Sequence, residues 1–250
     1  MKDIGNFGNY RTNTGIGRGS WSGTDGTSVG SGAYSAGLRA FISQVFVYFL
    51  VGLAICFGIA TFVPTCSWYV PFMQKTGIGL AVAWLVLSVG FNFAFPSLSL
   101  SATLCWFLVD TSLLGLVLSP VALIYTPVSL VTTFFVTTSM FLSLILYGYV
   151  TKKNLIGFVP IMVMGFVGIM LASVMNMFFR SSTFLLAISA VAIVVLAGYI
   201  AYTMQMIKGL YSDADSENVR GKKVLFGASL IFHEFVNLFL HILRFVGRRN

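Results

Sequence analysis

Apolar residues run through this chain in seven long stretches broken by short polar connectors. The stretches are Phe41–Val63, Ile78–Phe95, Leu98–Leu118, Pro127–Tyr149, Pro160–Phe179, Phe184–Ile207 and Val224–Val246. Hydrocarbon offers no partner to backbone polar groups, so a segment of about 20 apolar residues crosses it as a helix. The pattern therefore predicts an all-α integral membrane protein, a seven-transmembrane-helix bundle in the lipid bilayer. The last stretch differs from the others. Glu234, Asn237, His241 and Arg244 recur along one of its faces, while Phe232, Phe235, Leu238 and Phe239 cover the rest. Such a helix wants protein around it rather than lipid, so it is expected at the centre of the bundle.

Before the first stretch, residues 1–37 are rich in Gly, Ser, Thr and Asn. A segment of that composition cannot bury enough apolar area to offset its ordering entropy, and it is expected to be a disordered tail. Residues 38–250 then form the membrane domain. Gly15-Ile16-Gly17-Arg18-Gly19 follows no strand and lacks the Lys-Ser/Thr ending of a phosphate loop, so no nucleotide is inferred from it. The tail also lacks the apolar core of a secretory signal. Pro96 predicts a tight turn, Pro127 after Thr126 a capped helix start, and Pro120 a position just beyond the third span.

The composition agrees with this reading: 57% hydrophobic and 9% charged residues, with mean hydropathy +0.91. A soluble domain carries about a quarter charged residues. The net charge of +8 does not point to nucleic acid, because the basic residues sit at span edges. Lys2, Arg11, Arg18, Arg39, Lys152, Lys153, Lys208, Arg220, Lys222 and Lys223 fall on one side, and Lys75 and Arg180 on the other. Positive residues favour the cytoplasm, so the N-terminus is placed inside. The last segment leaves two options open. A full crossing puts Arg244, Arg248 and Arg249 outside against the charge rule, and a half-inserted segment keeps them inside.

Cys56, Cys66 and Cys105 have no pairing or ligand spacing, and no cofactor is expected. The acidic run Asp213, Asp215, Glu217 lacks the Gly and terminal Glu of a calcium loop, and a solvated connector is expected. Ionisable groups at membrane depth are a functional hypothesis by default. Glu234 lies mid-span, and Asp110 lies mid-way along the third span. The two carboxylates either share a proton or a cation or are unrelated, with Asp110 held by neighbouring hydroxyls. Gly165, Gly168, Ala172 and Asn176 line one face of the fifth span, which is expected to pack on another helix; Asn176 is a candidate for a polar path. No His-Glu-x-x-His or intramembrane Ser–His site is present, so no enzyme is expected.

Several stretches, in this order and spacing, resemble the bacterial branch of the Bax inhibitor-1 family of multipass membrane proteins. They are Ala33-Tyr34-Ser35-Ala36-Gly37-Leu38-Arg39, Gly115-Leu116-Val117-Leu118-Ser119-Pro120, and Leu146-Tyr147-Gly148-Tyr149-Val150-Thr151-Lys152. With them go Ala172-Ser173, Asn176-Met177-Phe178-Phe179, Tyr202-Thr203-Met204-Gln205-Met206-Ile207-Lys208, Glu234-Phe235-Val236-Asn237-Leu238-Phe239 and Leu243-Arg244. The resemblance covers Tyr34 to Gly247. It implies six helices around the seventh, a place in the bacterial inner membrane, and a pH-sensitive calcium leak gated by one aspartate on each of the last two helices. It also implies a link to a membrane-bound ATP-dependent (AAA) protease, the alternative role being that of a non-conducting regulator. Here Thr203 stands where the family has its sixth-helix aspartate, and Glu234 stands for the seventh-helix one. Thr203 cannot titrate, so a two-carboxylate gate does not carry over to these two positions. Glu234, Thr203, Asn237, His241, Arg244, Asp110 and Asn176 are the candidate residues for an ion path or pH sensing.

Overall fold

Proline, serine and threonine decide where the helices of this chain start. Ser99 Oγ accepts from Ala102 N at 3.3 Å, Thr126 Oγ1 from Ser129 N at 3.3 Å, and Ser181 Oγ from Phe184 N at 3.2 Å. Each cap satisfies an amide that the first helical turn leaves without a partner and contributes about 1 kcal/mol. The computed structural model describes residues 26–248. They form α1 (Gly26–Phe62), α2 (Tyr69–Ala94), α3 (Leu100–Ile124), α4 (Pro127–Val150), α5 (Val159–Phe179), α6 (Ser182–Leu210) and α7 (Glu217–Val246). All seven contain a stretch long and apolar enough to cross a bilayer, and no strand occurs among the described residues. The protein is an all-α seven-span membrane bundle.

α7 packs against α1, α3, α4 and α6. Its Phe235 ring meets Phe49, Phe134 and Phe141 edge-on at centroid distances of 5.7, 5.7 and 5.3 Å, the favourable geometry for aromatic pairs. α5 packs on α6, and α2 on α3. These two helices expose Val86, Phe93, Met164 and Phe178, as lipid-facing surfaces do. Two crossings are closer than any side chain allows. A Cβ on Gly148 of α4 would lie 2.2 Å from the Ala201 carbonyl oxygen of α6, and one on Gly115 of α3 would lie 2.7 Å from the Cys56 carbonyl oxygen of α1. Small residues permit this approach, which is how helices associate in lipid.

Several expectations change. Residues 1–25 of the expected tail lie outside the described residues, but 26–37 belong to α1. A helix nucleated by an apolar span propagates cheaply into a neighbouring polar segment. Lys75 lies inside α2 rather than in a connector. Pro120 lies within α3, not beyond it. A proline has no N–H to give the Leu116 carbonyl, and the Ser119 hydroxyl hydrogen-bonds that carbonyl in its stead, while Ser119 Oγ also lies 2.7 Å from the Tyr69 phenol oxygen. The fifth-span face splits. Gly165 meets Val195, with 2.9 Å from a Cβ to the nearest methyl, whereas Gly168 has nothing within 4 Å.

The last segment crosses completely. Thr126 N donates to the Arg248 carbonyl at 3.1 Å, and Arg248 N donates to Ser129 Oγ at 2.9 Å. These bonds put the end of α7 on the face of the α3–α4 connector. The start of α7 is on the opposite face, where Lys222 Nζ reaches the Pro96 carbonyl at 3.4 Å. The half-inserted alternative is thereby excluded. Arg39, Lys152, Lys153, Lys208, Arg220, Lys222 and Lys223 share the face where α7 starts, which the charge rule assigns to the cytoplasm. Arg244 and Arg248 go against that rule on the other face; the backbone of Arg248 is held by the α3–α4 connector. On the cytoplasmic face Tyr211 hydrogen-bonds Asp213, which holds its phenol above the usual range. Gly37 leaves room for that phenol: a Cβ there would lie 1.9 Å from it.

Candidate functional site: a polar cavity at membrane depth

The polar stripe of α7 meets two different helices. Glu234 is 4% exposed, and the Thr203 hydroxyl of α6 donates to its Oε1. Glu234 Oε2 has no hydrogen-bond partner among the described residues. His233, one residue earlier, is turned about 100° around the helix and faces α3. Its Nε2 lies 3.0 Å from Asp110 Oδ2. Asp110 is 3% exposed, and its Oδ1 accepts from Ser88 Oγ of α2 at 2.6 Å. His233 Nδ1 lies 2.7 Å from the Ser229 carbonyl oxygen, one turn back.

These groups open onto one cavity of about 310 Å³, whose polar groups include Ser88, Asp110, Tyr199, His233, Glu234 and Asn237 and whose remaining walls are largely apolar, with Phe91, Leu196 and Phe226 among them. α2 and α3 form one wall and α6 another, with Phe166 of α5 closing the side. Thr203 sits behind Glu234, buried between α6 and α7. No Lys or Arg pairs with Glu234 or Asp110 among the described residues; the Lys/Arg ion pairs, Lys223–Asp215 and Arg220–Glu217, lie at the start of α7. Among the described residues, no three His, Cys, Asp or Glu side chains, those of this cavity included, stand close enough together to hold a metal ion.

The remaining candidates lie elsewhere. Arg244 Nη1 donates to Ser189 Oγ at 3.1 Å and lies 3.2 Å from His241 Nδ1, about three turns from Glu234 along α7. Asn176 accepts from Ser181 N at 3.2 Å and closes the α5–α6 turn rather than lining a path. The sequence pattern did not single out His233, Ser88 or Tyr199. The signal for His233 was its place beside Glu234 and one turn after Ser229, but nothing in sequence places α3 on that side of α7.

The family's model, described as "Inhibitor of apoptosis-promoting Bax1", matches residues 38–250. The chain belongs to the Bax inhibitor-1 family. Among its relatives, the inner membrane protein YbhL of Escherichia coli is 33% identical over 220 residues, covering 86% of this chain and 94% of the relative. A protein of Rickettsia prowazekii is 33% identical over 218 residues, with 86% and 92% covered. A membrane protein of Streptococcus pyogenes is 28% identical over 224 residues, with 86% and 95% covered. With its seven spans, this Bax inhibitor-1 family member is a multi-pass protein of the bacterial inner membrane.

The stretches that carry the family resemblance meet one another in space. Gln205 accepts from Leu155 N at 2.9 Å and donates to the Lys153 carbonyl at 2.8 Å. Lys208 Nζ donates to the Tyr149 carbonyl at 2.6 Å. Together with the Gly148–Ala201 crossing, these bonds tie the cytoplasmic ends of α4 and α6 to each other.

Proposed function

We propose that this protein is a pH-sensitive cation leak of the inner membrane, with calcium the expected ion and Glu234 the gating carboxylate. The single observation that carries the reading is the opening of two buried carboxylates, Glu234 of α7 and Asp110 of α3, onto one cavity with no Lys or Arg beside them among the described residues. Negative charge at that depth is costly unless a proton or cation compensates it. Hard cations take oxygen ligands, and Glu234, Asp110, Ser88, Tyr199 and Asn237 offer oxygens around the cavity. Thr203 replaces the second acid of the family pattern, so Glu234 has a hydroxyl rather than a carboxylate against it. We assign the chain no catalytic activity.

The test is calcium entry into vesicles reconstituted with the purified protein and loaded with a calcium dye. Protein-dependent entry that changes with pH supports the leak. If no pH produces entry, the polar core is structural, and the role of a non-conducting regulator of a membrane-bound AAA protease takes its place.

A further inference from the structure

His233 and Asp110 carry an inference separate from Glu234. A carbonyl oxygen only accepts, so the 2.7 Å contact of His233 Nδ1 with the Ser229 carbonyl puts a hydrogen on Nδ1. The other nitrogen lies 3.0 Å from Asp110 Oδ2. Neither atom has a hydrogen-bond partner among the described residues, so the contact is an ion-pair approach rather than a directed hydrogen bond, and a bare Nε2 would set its lone pair beside a carboxylate oxygen. Burial disfavours both charges of such a pair, and three neighbours act against that penalty. The Ser88 hydroxyl donates to Asp110 Oδ1 at 2.6 Å, so that oxygen acts as an acceptor and does not carry the proton. The short Nδ1 contact is strengthened by a positive ring. The Trp84 ring lies 5.9 Å from the imidazole, inclined by 32°, within the range at which an aromatic face attracts a cation.

We propose that His233 and Asp110 form an imidazolium–carboxylate pair inside the membrane, a proton-holding site of its own that adds a second titrating element to the cavity. The proton resides on Nε2. When it leaves, the imidazole becomes neutral, Asp110 keeps its negative charge, and the pair passes from net zero to net minus one. The Asp110 carboxylate is then free to hold a cation from the cavity together with Ser88. The titratable groups around the pair are Glu234 on α7 and Tyr199 on α6, across the cavity, and Cys56 on α1, within electrostatic reach of Asp110. None is a Lys or Arg.

The chain has two histidines, which makes the test direct. His241 is the internal control: Arg244 has only donors, so its 3.2 Å contact makes His241 Nδ1 the bare acceptor of a neutral ring. Full-length protein labelled with ¹⁵N-histidine is measured in lipid bilayers at pH 7 by solid-state NMR. The expected spectrum has one ring with both nitrogens protonated and one with a single bare nitrogen, and His241→Gln removes the second. Asp110→Asn then converts His233 into a neutral ring with a bare Nε2. A bare nitrogen on His233 in the parent protein overturns the proposal, and so does an Asp110→Asn spectrum in which His233 is unchanged. Should Asp110→Asn not fold, the parent and His241→Gln spectra decide alone. Only the cation-holding step rests on the leak reading. Failure of calcium entry removes the leak, while the protonation state seen by NMR still decides whether the pair exists.

Discussion

The Thr203 hydroxyl of α6 donates to Oε1 of Glu234 on α7, so the buried carboxylate of one helix is held by a hydroxyl of its neighbour. A substitution there acts directly on the carboxylate. Thr203→Asp places a second carboxyl against Glu234, and two close carboxyls titrate as a unit. The expected outcome is a pH profile of calcium entry with a displaced midpoint and a steeper slope. Entry measured in vesicles over a pH series checks this, and a profile identical to the parent's counts against contact between the two positions.

Removing the donor tests the same contact through stability. Thr203→Val leaves Glu234 Oε1 buried without its partner, at a cost of about 1–3 kcal/mol. Thermal unfolding in detergent should show a lower midpoint for Thr203→Val, while Thr203→Ser, which keeps the hydroxyl, should stay close to the parent.

Glycines that look alike in the sequence should behave differently. Gly148 has the Ala201 carbonyl 2.2 Å from where its Cβ would be, whereas Gly168 has open space. Gly148→Ala forces α4 and α6 apart, an overpacking cost of about 1–3 kcal/mol. Gly168→Leu on the lipid side should change stability by less than about 0.5 kcal/mol. The yield of monodisperse protein and its unfolding temperature separate the two cases.

Hydropathy made the seven spans legible, because a membrane imposes one length and one composition on every crossing. The partner of each polar group was less accessible. One-face spacing grouped Glu234, Asn237, His241 and Arg244, yet the helix is long enough to put Glu234 at the cavity and Arg244 beside Ser189. Spacing counts positions around a helix and says nothing about which neighbour stands there. For the same reason His233, off the stripe by about 100°, does not stand out in the sequence although it meets Asp110 on α3. Pro120 reads as a helix end in sequence. The helix nevertheless continues past it, with the Ser119 hydroxyl serving the Leu116 carbonyl.

The crossing of α7 has a topological consequence. With the N-terminus inside, cysteines introduced at Asn154 and Ser212 should react only with membrane-permeant reagents in intact cells. Cysteines at Lys75 and Arg248 should react with impermeant ones. Protection at Arg248 together with labelling at Lys75 would contradict the docking of Arg248 on the α3–α4 connector.

Calcium entry into vesicles, compared between the parent and Glu234→Gln across a pH series, tests the leak account most directly. Gln keeps the size of the side chain and removes its titration. The account predicts entry by the parent that changes with pH, and loss in Glu234→Gln of the component that Glu234 carries, leaving only the shallower response of the Asp110–His233 pair. Entry through Glu234→Gln with the parent's full pH profile would contradict it, because the gating carboxylate would then lie elsewhere.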